Sequence, residues 1–212
     1  MSVNLRWATP NIDAEIAYQG RVSNVENQNN PEFTKLLNYL MTHGHVSPFE
    51  MANMCVEINT TRDISRQILR HRSFSFQEYS GRYAEMTDLG DMLERECRLQ
   101  DKNNRQSSLE CDHLPELKKH FSSLQHQVWK TAESAYHLAL SNGIAKEQAR
   151  ALLPEGLTPT RLYMNGNMRS WIFYLKQRLD PSTQKEHRII AEQVLQIFRS
   201  VAPVTAAAFF PQ

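Results

Sequence analysis

Glycine is scarce, with seven in 212 residues, and none falls in a G-x-G-x-x-G or G-x-x-x-x-G-K pattern. A conventional dinucleotide or nucleotide fold with a glycine-rich phosphate loop is therefore disfavoured. Cysteine is scarcer still. Cys55, Cys97 and Cys111 are odd in number, irregular in spacing and form no Cys-x-x-Cys. That argues against a disulfide framework and a zinc ribbon, and it suits a reducing cytoplasm. Cys55 sits in an apolar stretch, and neither other cysteine has an obvious helper in sequence, so thiol catalysis is disfavoured. His43 and His45 lack companion ligands at zinc spacing, so no metal site is expected. No run of about 18 apolar residues is present to cross a membrane. The opening "MSVNLRWATP" has no apolar core of a signal peptide. Excess charge is missing too: 24 basic residues face 23 acidic ones, a formal charge of +1. A protein held by the bulk field of nucleic acid would be far more basic, so any anion site must be local.

What is present reads as one globular domain over residues 1–212. Val3, Leu5 and Trp7 alternate with polar neighbours as a strand. Ile12 and Ile16 face one side of a helix that Gly20 ends. In "NNPEF", Asn30 as cap and Pro31 at the first turn predict a helix start, with Phe33, Leu36, Leu37 and Leu40 as its stripe. "MCVEINTT" reads as a half-buried strand, followed by a helix capped at Thr60 or Thr61 with Ile64 and Ile68 inward. Residues 84–112 show little period and read as a loop with short helical pieces. Leu117, Phe121, Leu124, Val128, Ala132, Ala135 and Leu138 form the expected inward stripe of a long helix that Asn142-Gly143 closes. Ala145–Leu153, "NMRSWIFYLKQRL" and "TQKEHRIIAEQVLQIF" are further helices, the last with Ile189, Ile190, Val194 and Ile197 inward, and "TRLYMN" is a strand. Strands and helices do not alternate regularly, so the expected class is α+β.

The chemistry concentrates in "LRHRSFSFQEYSGRY". Arg70, Arg72 and Arg82, with Arg66 upstream, lie among three serines and two tyrosines, without a lysine. Arginine's planar fork matches phosphate and carboxylate edges in a way lysine's ammonium does not. Ser75, Ser80 and the Gly81 backbone add neutral donors. A plainer alternative stands beside this: the arginines pair with Asp63 and Glu78 and cover a helix face. His45 and Ser47 lie in the turn "HGHVSPFE". Arg150, Asn165, Asn167, Arg169 and Arg178 follow further on, each unremarkable alone.

Taken together, Arg70-His71-Arg72, Ser75, Ser80 and Arg82 give R-H-R-x-x-S-x-x-x-x-S-x-R, which resembles the signature of the flavin-dependent thymidylate synthases. "GRVSN", "HGHVSPFE", "DKNNRQSS", "AKEQARALLP" and "NGNMRSW" resemble further blocks of that family, in order. The resemblance implies a mainly antiparallel central sheet with flanking helices and a helical lobe. It implies conversion of dUMP to dTMP, with methylenetetrahydrofolate as carbon donor and NADPH-reduced FAD as hydride source. It also implies a homotetramer with active sites between subunits, and no nucleic acid, membrane or metal partner. By position, Ser47, Arg70, His71, Arg72, Glu78, Asn167 and Arg169 would hold FAD, with His45 nearby. Gln67, Arg70, Glu78, Ser80, Gly81, Arg82, Arg150 and Arg178 would surround dUMP, and Arg178 would be the catalytic arginine. Phe173 departs from the family, whose members often carry a polar side chain there. A nucleic-acid module built on the arginine–tyrosine segment and a helical scaffold without activity are the competing classes.

Overall fold

A computed structural model describes residues 1–211. Its strands are β1 (Ser2–Ala8), β2 (Asn53–Thr61), β3 (Ser75–Glu78), β4 (Arg98–Gln100), β5 (Ser108–Glu110) and β6 (Pro159–Asn167). Its α-helices are α1 (Ile12–Gly20), α2 (Thr34–Thr42), α3 (Arg62–Ile68), α4 (Pro115–Ser141), α5 (Lys146–Ala149), α6 (Met168–Arg178), α7 (Lys185–Val201) and α8 (Pro203–Phe209). Four strands form one sheet in the order β1-β2-β6-β3, every pair antiparallel. The expected α+β class with an antiparallel centre is the observed one. No helix among the described residues is long and apolar enough to cross a membrane.

The period of two along β2 and β6 decides which face is covered. Met54, Val56, Ile58, Leu162 and Met164 point inward and are fully buried. They pack with Ile12 and Ile16 of α1, Ile64 and Ile68 of α3, Trp171 and Leu175 of α6, and Ile190, Val194 and Phe198 of α7. The alternate residues Glu57, Asn59, Arg161 and Tyr163 point the other way and keep contact with solvent. A second, smaller apolar cluster joins Trp129, Tyr136 and Ala139 of α4 to Met86, Ala149, Leu153 and Leu157.

Helix α6 is tied to the sheet at its start. Asn167 ends β6 and caps α6, its side-chain oxygen accepting from Ser170 N at 2.8 Å. The Trp171 indole N–H donates to the carbonyls of Met54 at 3.0 Å and Gly166 at 3.1 Å. Phe74 lies edge-on to Trp171, with ring centroids 4.7 Å apart.

Four expectations change. Helix α2 begins at Thr34 rather than near Pro31, because the Asn30 side chain accepts from Glu32 N at 2.9 Å in a local turn instead of capping. Arg21 donates to the Asn30 and Glu32 carbonyls and holds that turn open. The segment 84–112 contains a hairpin, β4 with β5, that its weak period concealed. On α4 the buried residues are Gln125, Trp129, Tyr136 and Ala139, whereas Leu124, Val128 and Leu138 are 44%, 51% and 64% exposed. Gln125 is drawn inward because its amide accepts from Arg95 N and donates to Arg95 O. Helix α8 was not expected; buried Asp13 accepts from Val204 N, Thr205 N and the Thr205 hydroxyl at its first turn.

Gly166 leaves no room for a side chain. A Cβ there would meet the Phe74 ring at 2.4 and 2.5 Å. Phe74 cannot yield easily, since Trp171, Phe76 and Tyr174 surround it. Gly166→Ala is expected to cost about 1–3 kcal/mol, read as an earlier midpoint in chemical denaturation. An unchanged midpoint would mean that Phe74 does not fill this space.

Candidate active site

The turn after α3 lies against α6. Ser170 Oγ donates to Ser73 O at 3.2 Å near the start of α6. Near its end, Arg178 Nε donates to His71 Nε2 at 2.9 Å. An arginine can only donate, so His71 must accept at Nε2 and be neutral, with its proton on Nδ1. Burial, with the Arg178 charge second, lowers the His71 pKa to about 4. The ring also packs edge-on to Tyr174 at 5.0 Å, whose hydroxyl pKa is raised by complete burial and lowered slightly by Arg178. Arg178 is itself shifted down: burial is the main cause, Tyr174 acts in the opposite sense, and the Arg70 charge pushes it further down.

The ion pairs bear on the two readings of the arginine run. Arg66 does pair with Glu78, at 3.0 Å, and Asp63 pairs with Arg95. Among the described residues, however, Arg70, Arg72, Arg150 and Arg178 have no carboxylate within ion-pair distance. Guanidinium groups without a counter-charge favour an anion.

Glu78 is placed by the strand period. It shares the inner face of β3 with Phe76 and so reaches α3. Its Oε1 accepts from Ser65 Oγ at 2.7 Å and Thr160 Oγ1 at 3.2 Å, and its Oε2 accepts from Arg66. Ser80, Gly81 and Arg82 lie just beyond, in a turn closed by Tyr83 N and Ala84 N donating to Ser80 O. Gly81 is buried where a Cβ would fall 2.5 Å from Met86 Sδ and 3.3 Å from Arg150 Cδ, so its missing side chain lets Arg150 approach. Arg82 is 3.6 Å from Glu147, whose carbonyl accepts from Arg150 Nε at 3.3 Å. Arg62, Met86, Glu147, Arg150, Glu155 and Thr158 line a cleft of about 330 Å³ beside this turn.

A third group surrounds the start of α6. Arg169 pairs with Glu50 at 2.6 Å and lies over the Phe173 ring at 5.6 Å. Met168 N donates to Ala52 O, which brings the Ser47–Glu50 turn alongside. Asn167 uses its side-chain oxygen as the cap and has both amide hydrogens left. His45 stands edge-on to Tyr39 at 5.9 Å, and His43 stacks on the same ring at 4.0 Å.

The chain thus brings Arg70, His71 and Arg178 together, and separately Gly81, Arg82 and Arg150, and separately Ser47, Asn167 and Arg169. Among the described residues no hydrogen bond or ion pair links the Arg82–Arg150 group to the Arg178 group. Gln67 faces Gln184 and His187. Sequence reasoning did not single out Tyr174, His187 or Gln184. Two signals were available: Tyr174 precedes Arg178 by one helical turn, and His187 occupies a stripe position that Ile190, Ala191 and Val194 continue.

A family model described as thymidylate synthase complementing protein matches residues 4–204. The flavin-dependent thymidylate synthase of Synechocystis sp. is 52% identical over 193 residues, covering 91% of this chain and 87% of the relative. The enzyme of that name from Kosmotoga olearia is 37% identical over 198 residues, covering 93% and 85%. Among solved structures, a UMP/dUMP methylase, PolB from Streptomyces cacaoi bound with 5-Br dUMP, superposes with a TM-score of 0.82 at 26% identity. It covers 98% of this chain and 93% of that one.

The neutral histidines predict a pH dependence. His71 is lowered from 6.5 to about 4 and His187 to about 3, burial being the largest cause in both. Below pH 6.5 the unfolded chain takes up these protons while the folded chain does not. Stability should therefore be level above neutrality and fall between about pH 6.5 and 4, by on the order of 1 kcal/mol per pH unit. Denaturation curves across this range check it. A flat profile would mean that the two rings are protonated in the folded protein.

Proposed function

The chain belongs to the thymidylate synthase complementing protein family, and from that premise we infer that it is a flavin-dependent thymidylate synthase that methylates dUMP to dTMP. Its co-substrates are methylenetetrahydrofolate and NADPH. The observation that carries this beyond family membership is Arg178 held by its Nε–H on neutral His71, beside Arg70 in sequence, with neither arginine at ion-pair distance from a carboxylate among the described residues. An anionic pyrimidine nucleotide supplies that counter-charge.

The residues present fit a flavin dinucleotide. Arg70 and Arg72 are exposed and lack carboxylate partners, as pyrophosphate recognition requires. Ser47, Asn167 and neutral His71 add uncharged hydrogen-bonding groups, and Arg169 a further cation. Phe173 is half exposed and already carries a guanidinium on its face, so an apolar contact replaces the polar one frequent in relatives. When bound, FAD supplies the reducing equivalents, drawn from NADPH; the protein supplies placement and charge. Glu78 orders the site by holding Ser65, Thr160 and Arg66 rather than by offering a free carboxylate.

Arg178 acts on the pyrimidine. His71 takes its Nε–H, which fixes the plane of the guanidinium and leaves its two terminal nitrogens for the substrate. A positive fork beside the uracil imide stabilises negative charge developing on the ring and makes its carbon–carbon double bond more nucleophilic. No thiolate is needed. Burial pushes the Cys55 thiol up, against a smaller opposing effect of Arg6, which makes it a poor nucleophile.

Gly81, Ser80, Arg82 and Arg150 cradle the phosphate, in our reading from a neighbouring subunit of a homotetramer that functions in the cytoplasm as one domain per chain. Two features support shared sites. Within one chain no hydrogen bond or ion pair among the described residues links the Arg82–Arg150 group to the Arg178 group. Leu124, Val128 and Leu138 share one face of α4 and are 44%, 51% and 64% exposed, an apolar stripe that a neighbouring subunit would cover.

The purified protein should carry yellow flavin and sustain dUMP-dependent oxidation of NADPH when methylenetetrahydrofolate is supplied. Arg178→Ala should lower kcat by about a hundredfold while leaving the thermal midpoint close to that of the parent. Near-parental turnover would remove Arg178 from the mechanism, and no turnover by the flavin-loaded parent would leave only a scaffold.

A further inference from the structure

Behind Gln67 lies a run of five polar side chains joined end to end. His187 Nε2 is 3.2 Å from the Tyr174 hydroxyl, and His187 Nδ1 is 3.3 Å from Gln67 Oε1. Gln67 Nε2 donates to Gln184 Oε1 at 2.7 Å, and Gln184 Nε2 donates to Glu186 Oε2 at 2.9 Å. Glu186 is buried against Arg98 and Arg95. His187 is 0% exposed.

The direction of every bond follows from the far end. Burial alone would raise the Glu186 pKa, but hydrogen bonds from Arg98, its own backbone N–H and Gln184, with the Arg98 charge, bring it below the ordinary carboxylate value. It is ionised at neutral pH and can only accept. Gln184 must then aim its N–H group at Glu186 and its oxygen at Gln67. Gln67 must donate to that oxygen and turn its own oxygen to His187. His187 is held neutral, first by burial and then by the charges of Arg178 and His71, so it has a single proton. That proton must sit on Nδ1, and the Tyr174 hydroxyl must donate to Nε2. Reversing either amide would set acceptor against acceptor at one contact and donor against donor at the next.

We propose that His187 is a positioning residue for nucleotide binding: with Glu186 at the other end of the run, it locks the Gln67 amide so that one Nε2–H stays free to donate to an acceptor oxygen of the pyrimidine nucleotide. This rests on the reading above that Gln67 meets dUMP. Without the Nδ1–H donor the Gln67 amide is free to turn, and its oxygen can then oppose the substrate oxygen.

Two variants separate positioning from packing. His187→Asn keeps an amide N–H where Nδ1 was, whereas His187→Gln reaches the Nε2 position and leaves Gln67 without its donor. Affinity for dUMP is measured on the flavin-loaded enzyme by calorimetry, beside KM, kcat and thermal midpoints, with Gln67→Ala as reference. The Asn variant should bind dUMP within about twofold of the parent and the Gln variant roughly five- to tenfold more weakly, with kcat moving less than affinity. If both variants lose affinity equally, in step with stability, or neither loses any, the positioning role is overturned. If Gln67→Ala leaves dUMP affinity unchanged, the placement of Gln67 at the nucleotide falls as well, a result that the His187 variants alone would not give.

Discussion

The candidate site depends on Arg178, held by neutral His71 next in sequence to Arg70, with no carboxylate among the described residues at ion-pair distance from either guanidinium. Partial burial of the Arg178 guanidinium is unfavourable, a cost that the surrounding fold must offset. His71 meets part of it by staying neutral and accepting from Arg178 Nε, which burial ensures by lowering its pKa to about 4. Tyr174 and His187 fill the space behind with uncharged polar groups. Carboxylates are close in sequence but are held elsewhere: Glu78 by Arg66, Ser65 and Thr160, Asp63 by Arg95. The chain thus preserves unmet positive charge at the candidate site, and in the proposed reading this is what preorganises it for a nucleotide.

The scaffold makes this tolerable. Helix α6 carries Arg169 at its start and Arg178 at its end, and its apolar residues Trp171, Ile172 and Leu175 are buried against the sheet. The indole hydrogen bonds and the Phe74 wedge hold α6 in a fixed relation to β2 and β6. The turn carrying His71 then meets α6 along its length, which sets the position of Arg178 to within a hydrogen bond. Helix α7 closes the rear with His187 and Glu186.

Much of this was legible in the residues. The strands β1, β2 and β6 follow from alternation, and α3, α6 and α7 from their apolar stripes. The arginine run pointed to an anion site, and its order with Ser75 and Ser80 pointed to the family. Three things were not legible, each for a local reason. The hairpin β4–β5 has only three residues per strand, too few for a period to show. The stripe Leu124, Val128 and Leu138 reads as core by composition, yet Trp129, Tyr136 and the Arg95-bonded Gln125 take the inward positions. The polar run behind Gln67 joins residues more than a hundred positions apart, and its partners become visible only when α3 meets α7.

The central claim is that one pocket takes Arg70 and Arg178 from one subunit and Arg82 and Arg150 from another. Co-expression of an Arg178→Ala chain with an Arg150→Ala chain under different affinity tags, and isolation of the mixed assembly, tests it most directly. In mixed assemblies some pockets would receive both intact halves. Turnover well above that of either pure variant is the predicted result. Mixed assemblies no more active than the pure variants would contradict a pocket shared between chains.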